Sequence, residues 1–219
     1  MAQISGVPPH QVRAAITKVC PLASRVTSGT RSRKRNRGPW IRTSLEESMS
    51  PRPMLILDLD GVISPYGSEA KDGMAVARVG GYLLLYRPDV IAALNALNRE
   101  GHVQLRWLTS WGSDVRTHVA PAFGLDDFPM LAEVENDATD RMWSKLRTVP
   151  QHLRGGTRFA WIDDDLKPTR RARVRWAYGT GPCLLLRPGA RLGLTAAELD
   201  QARTFLLARS PLRRGPCSG

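Results

Sequence analysis

The chain has 219 residues, enough for one α/β domain with a sizeable core. Hydrophobic residues make up 42% and aromatics 6%, and no apolar run approaches the roughly 18 residues of a membrane span, so a soluble globular protein is expected. The net charge of +12 is lopsided: residues 1–53 hold ten Lys/Arg against two acids, so the remainder is only mildly basic.

Residues 1–53 are rich in Arg, Ser, Thr, Pro and Gly and include RSRKRNRG at 31–38, with a hint of a short helix at 11–20. Such a segment cannot bury enough apolar surface to balance its ordering entropy, so a basic, disordered arm is expected. Its basic run at 31–37 can bind nucleic acid, act as a targeting signal, or simply be solvated. A start at Met49 or Met54 is a further reading of the same segment. Arg13 and Lys18 interrupt any secretory core, and Cys20, Cys183 and Cys217 are too scattered for a disulfide framework or a zinc site. A reducing, cytoplasmic setting is therefore expected.

From Met54 onward, short apolar runs alternate with helical stretches. MLILDL at 54–59 is continuous rather than alternating, which predicts a parallel strand covered on both faces. Gly80-Gly81 between two apolar runs predicts a β-hairpin within 76–87. Pro88 opens a helix that ends at Gly101, and HVQLRWLT at 102–109 forms the next strand. A short helix with Ser113 as its N-cap follows at 113–124, limited by Pro121, and another spans 138 to about Pro150. RFAWID (158–163) and CLLLRP (183–188) read as strands around a short basic helix, and Thr195 with Glu198 caps a closing helix to 210, before a flexible tail at 211–219. The order predicts an α/β, doubly wound parallel sheet over 54–210.

In such sheets the functional crevice lies beyond the carboxyl ends of the strands. The strand ends collect Asp58 and Asp60, then Thr109 and Ser110, then Asp163, Asp164 and Asp165. Carboxylates crowded into one space repel one another and imply a cation, and oxygen donors without His or Cys favour a hard ion, Mg²⁺ above all.

DLDGV at 58–62, a strand ending at Thr109, a helix lysine at Lys145 and WIDD at 161–164 resemble, in order, the four motifs of the haloacid dehalogenase (HAD) superfamily. The resemblance covers about residues 54–210 and implies a Rossmann-like sheet and phosphoryl transfer through an aspartyl-phosphate. It makes Asp58 the nucleophile and a Mg²⁺ ligand, and Asp60 the general acid/base whose backbone carbonyl touches the metal. Gly61 lets the chain pass close to the phosphate, Thr109, Ser110 and Lys145 bind and neutralise the phosphoryl oxygens, and Asp163 and Asp164 complete the metal site.

Each of these residues also has a plainer reading. Asp163 to Asp165 suit a helix N-terminus, and Lys145 shares its helix with Arg141 and Arg147, as a solvated basic face would. Trp107, Trp143 and Trp161 lie within apolar runs and read as core, whereas Trp111 lies near the crevice. RRARVRW at 170–176 could attract an anionic substrate or merely be solvated. Only about 63–87 is available for a cap, enough for a hairpin flap over an open crevice. The leading expectation is a Mg²⁺-dependent phosphomonoester hydrolase acting on a phosphorylated substrate. The alternatives are a nucleic-acid-binding or interaction protein with a vestigial site, and a polynucleotide-end phosphatase.

Overall fold

A computed structural model describes residues 51–71, 73–134, 141–153, 156–179 and 181–208, excepting the side chains of 141–143 and 150. The expectations for the basic arm, its start, the first residues (138–140) of the helix expected from 138 and the C-terminal tail lie outside the described residues.

Four parallel strands form the central sheet in the order β4-β1-β5-β6, with β1 at Met54–Leu57, β4 at Gln104–Trp107, β5 at Phe159–Ile162 and β6 at Cys183–Leu186. Beyond β4 the chain at Met130 adds a single parallel bridge to Trp107. The antiparallel hairpin of β2 (Ala75–Val79) and β3 (Tyr82–Tyr86) stands apart from this sheet, as the Gly-Gly signal predicts.

The continuous apolar run of β1 follows from its two covered faces. Leu55 and Leu57 enter a core with Leu94 and Leu97 of α1 (Pro88–Glu100) and Leu199 and Ala202 of α5 (Ala196–Leu207). Met54 and Ile56 enter a second core with Val149 of α3 (Arg141–His152) and Val174 of α4 (Pro168–Tyr178). Strand alternation thus sends neighbouring residues to opposite helical layers, and each fully buried aliphatic side chain contributes about 1.5–3 kcal/mol. Trp107 and Trp161 are fully buried, consistent with their reading as core. Among the described residues, no helix is long and apolar enough to cross a membrane.

Helix boundaries follow local chemistry at several points. Pro88 sits in the first turn of α1 and Gly101 closes it at φ 73°, where glycine meets no side-chain penalty. Thr195 and Glu198 form a reciprocal capping box: the Glu198 amide donates to Thr195 Oγ1 (3.3 Å), and the Thr195 amide donates to Glu198 Oε2 (3.0 Å).

Two helices depart from the sequence reading. The expected helix at 113–124 is a π-helical turn at Val115–Val119 followed by the short α2 at Ala120–Phe123, and the N-cap position is held by Asp114, without a side-chain cap bond, rather than by Ser113. Pro121 has no amide to donate, and the Ala120 amide reaches five residues back to Val115 O, so the chain widens before the proline and Gly124 ends the helix at φ 74°. The expected stop at Pro150 is also corrected, because α3 continues to His152. A proline in the final turn removes one amide bond, and the Leu153 amide still donates to Val149 O at 3.2 Å.

Candidate active site

The sheet changes direction at β1, which lies between β4 and β5, and this topological switch opens a crevice at the strand ends. Asp58 leaves β1 still tied to β5, its amide donating to Ile162 O at 3.1 Å, while the Leu108 amide donates to Leu57 O at 2.9 Å from the β4 side. Leu59 turns back into the core between the two acids. The backbone then folds on itself: the Ser64 amide donates to Leu59 O and the Gly61 amide to Ser64 O, both at 2.8 Å.

Lys145 reaches this point from α3. Its ammonium donates to Asp58 Oδ2 at 2.6 Å and to Asp163 Oδ2 at 2.8 Å, with all three side chains nearly sealed from water. The plainer reading of Lys145 as part of a solvated face is therefore excluded. The Leu59 amide donates to Asp58 Oδ1 at 2.8 Å, so both oxygens of that carboxylate are held. The Asp165 amide donates to Asp163 Oδ1 at 2.9 Å, fixing the second acid in the same way.

Asp58, Asp163 and Asp164 each bring a carboxylate oxygen within 4.8 Å of the others. Burial pushes the Asp58 carboxyl up to about 7; Lys145 pulls it down, while Asp163 and Asp60 push it further up. Burial also raises Asp164, to about 6, with the charges of Asp163 and Asp165 adding to the rise. Burial disfavours the Lys145 ammonium, but Asp163 and Asp58 outweigh it and hold the group above its usual range. Once all three carboxylates are ionised, one ammonium leaves two negative charges uncompensated. A hard divalent cation bound by oxygen donors alone matches both that charge and that donor set.

Gly61 is required where it stands. Its φ is +69°, and a Cβ there would lie 2.6 Å from Asp164 Cγ and Oδ2. The glycine thus lets the loop after β1 pass directly against the third acid. Thr109 is buried two residues beyond β4, and its hydroxyl accepts weakly from the Trp111 amide at 3.4 Å. Ser110 follows it, half buried.

Three contacts lay outside the sequence reading. Trp111 is more than a neighbour of the crevice: its indole Nε1 donates to Asp60 Oδ2 at 3.0 Å while its ring meets Tyr82 of β3 edge-on at 5.6 Å. The hairpin flap is thereby linked to Asp60 through one side chain. The Tyr66 phenol is held above its usual range by burial and by the charges of Asp60, Asp164 and Asp58, and Tyr66 also lines an adjoining cavity of about 470 Å³ with Met74, Leu85, Lys71 and Arg191. Arg187, just past β6, donates from Nε to the Asp164 carbonyl at 2.7 Å. No sequence signal marks these contacts, since the partners of the two hydrogen bonds are 51 and 23 residues apart. Asp165, which the sequence placed in the acidic group, is partly exposed and pairs with Lys167 (3.4 Å) and Arg170.

Comparison with curated proteins and with solved structures finds no match. A family model described as the HAD domain in Swiss Army Knife RNA repair proteins matches residues 54–199, from β1 into the first turn of α5 and across every acid and lysine of the site, so the chain belongs to this family of HAD-like hydrolases.

Proposed function

We propose that the protein is a Mg²⁺-dependent phosphomonoester hydrolase working through an aspartyl-phosphate on Asp58, and that its substrate is a phosphorylated RNA end. The observation that carries the catalytic reading is the sealed Lys145 ammonium shared between Asp58 and Asp163, with Asp164 alongside. The RNA reading rests on the family description. The basic run at 31–37 would add electrostatic attraction for such a substrate.

Asp58, Asp163 and Asp164 would hold the cation, with the Asp60 backbone carbonyl as a further ligand. When bound, the cation would neutralise charge on the phosphoryl oxygens, so that an anionic nucleophile can approach. Asp58 forms a bond to phosphorus as the bond to the leaving oxygen breaks, and Asp60 gives its proton to that oxygen. Water then attacks the aspartyl-phosphate, its proton returns to Asp60, and the cleavage of the Asp58–phosphorus bond releases inorganic phosphate. Lys145, Thr109 and Ser110 stabilise the charge that develops on the phosphoryl oxygens. Trp111 fixes the direction in which Asp60 faces.

The test is phosphate release by the full chain, with and without Mg²⁺, from p-nitrophenyl phosphate and from oligoribonucleotides phosphorylated at the 5′ or 3′ end, beside its Asp58→Asn variant. Mg²⁺-dependent turnover that the variant lacks is the expected result. A parent no faster than the variant on every substrate refutes catalysis, and turnover of p-nitrophenyl phosphate with none of the oligonucleotides refutes the RNA assignment.

A further inference from the structure

Helix α4 begins five residues after Asp163, at the rim of the acidic site, and carries Arg170, Arg171, Arg173 and Arg175 with no acid in its first turn. A basic helix alone is usually a solvated face, and Arg170 is partly committed to Asp165. Trp176 is what sets this helix apart. It is 87% exposed, although burying an indole is among the largest single apolar gains open to a chain. The other tryptophans of the described side chains, Trp107, Trp111 and Trp161, are all buried. Trp176 lies three residues beyond Arg173, on the same side of the helix, with the exposed Arg175 next to it in sequence.

We propose that this face of α4 is the docking track for the single-stranded RNA whose end is held at Asp58 and Asp60, with Trp176 stacking on a base and Arg173 and Arg175, to either side of it, meeting the backbone phosphates. The assignment rests on the RNA reading above. Cations beside an aromatic platform are the combination that holds single strands without sequence preference, because every base has a π-face and every nucleotide a phosphate. Pro168 and Trp176 are eight residues apart, which on an α-helix is ~12 Å, so the platform stands a few nucleotides from a terminus bound in the crevice. The acidic site would repel internal phosphates, while the basic helix beside it attracts them. That contrast favours a strand that runs along α4 and enters the crevice by its end.

The experiment measures binding of a fluorescein-labelled single-stranded oligoribonucleotide to the full chain in an Asp58→Asn background, so that no turnover intervenes. Trp176→Ala should weaken binding by roughly five- to 150-fold, the effect of one base stacked on an aromatic ring, and Trp176→Phe should retain most of it. Replacing Arg173 and Arg175 by Gln should flatten the dependence of affinity on salt. Photo-crosslinking with 4-thiouridine RNA should label the peptide containing α4. Parent-like binding by Trp176→Ala, or crosslinks confined to other segments, overturns the proposal. Self-association that Trp176→Ala abolishes while RNA binding is retained would assign the face to a protein partner and likewise overturn it. Turnover of p-nitrophenyl phosphate by the chain with Asp58 intact reports on the catalytic reading separately, so the two can fail independently.

Discussion

Replacing Lys145 with Met removes the ammonium that lies 2.6 Å from Asp58 Oδ2 and 2.8 Å from Asp163 Oδ2 while keeping most of the side-chain volume. Packing is nearly conserved, so the consequence is electrostatic. Two carboxylates with side chains at most 9% exposed lose their shared counter-charge. Removing one partner of a buried ion pair costs about 3–5 kcal/mol, because the remaining charge is left without water or a partner. For a domain of this size each kcal/mol moves the melting temperature by about 2–4 °C, so a fall of about 6–20 °C is expected in the presence of a chelator. At a pH where the three carboxylates are ionised, adding Mg²⁺ should stabilise the variant by more than it stabilises the parent, since a cation bound among Asp58, Asp163 and Asp164 would meet one more unit of uncompensated negative charge. Thermal melting of both proteins with EDTA and across a Mg²⁺ titration measures the two effects. A variant that melts within 2 °C or so of the parent in EDTA, or that gains no more than the parent from Mg²⁺, would refute this account of the charge balance.

Gly61→Ala places a Cβ 2.6 Å from Asp164 at a φ of +69°, so either the loop or the acid must move; a loss of about 1–3 kcal/mol in urea unfolding and a higher Mg²⁺ concentration for half-maximal turnover are expected. Trp111→Phe keeps a ring against Tyr82 but removes the donor to Asp60 Oδ2, and as hydrogen bonds to charged acceptors are worth about 1.5–3 kcal/mol, steady-state kinetics on p-nitrophenyl phosphate should show kcat down by about tenfold or more with KM little changed. At the far edge of the domain, the hydrogen bond from Arg99 holds the Asp126 carboxyl below its ordinary value of 3.8. Its stabilising effect is present above that value and is lost as the pH falls through the depressed one, so Asp126→Asn should lower the melting temperature slightly at pH 6 and cease to matter in strong acid. Arg99 is exposed and Asp126 partly so, and the shift should therefore also shrink in high salt.

The parts of the fold legible in the amino-acid order are those governed by short-range rules. The unbroken apolar run at 54–57 can be buried only between two layers, the Thr195–Glu198 box closes over three residues, and Gly101 ends α1 where a left-handed residue is required. The acidic pair Asp58 and Asp60 was also legible, because strand ends face the crevice in any parallel sheet of this type. Strand ends and helix interruptions were less so. The readings at 54–59 and 102–109 extended past the ladder to the residues that leave it for the site, and the π-turn before Pro121 depends on how the chain accommodates one missing amide. The motif resemblance singled out Lys145 over Arg141 and Arg147, but order along the chain did not disclose that its ammonium would bridge Asp58 and Asp163, or that Trp111 would bond to Asp60 while touching the hairpin. Those contacts span 18 to 87 residues and arise from the register of β1 between β4 and β5 and from the helices packed over it. Backbone propensity acts over a few residues. Which side chains share a buried charge is settled only when packing has set the distances between them.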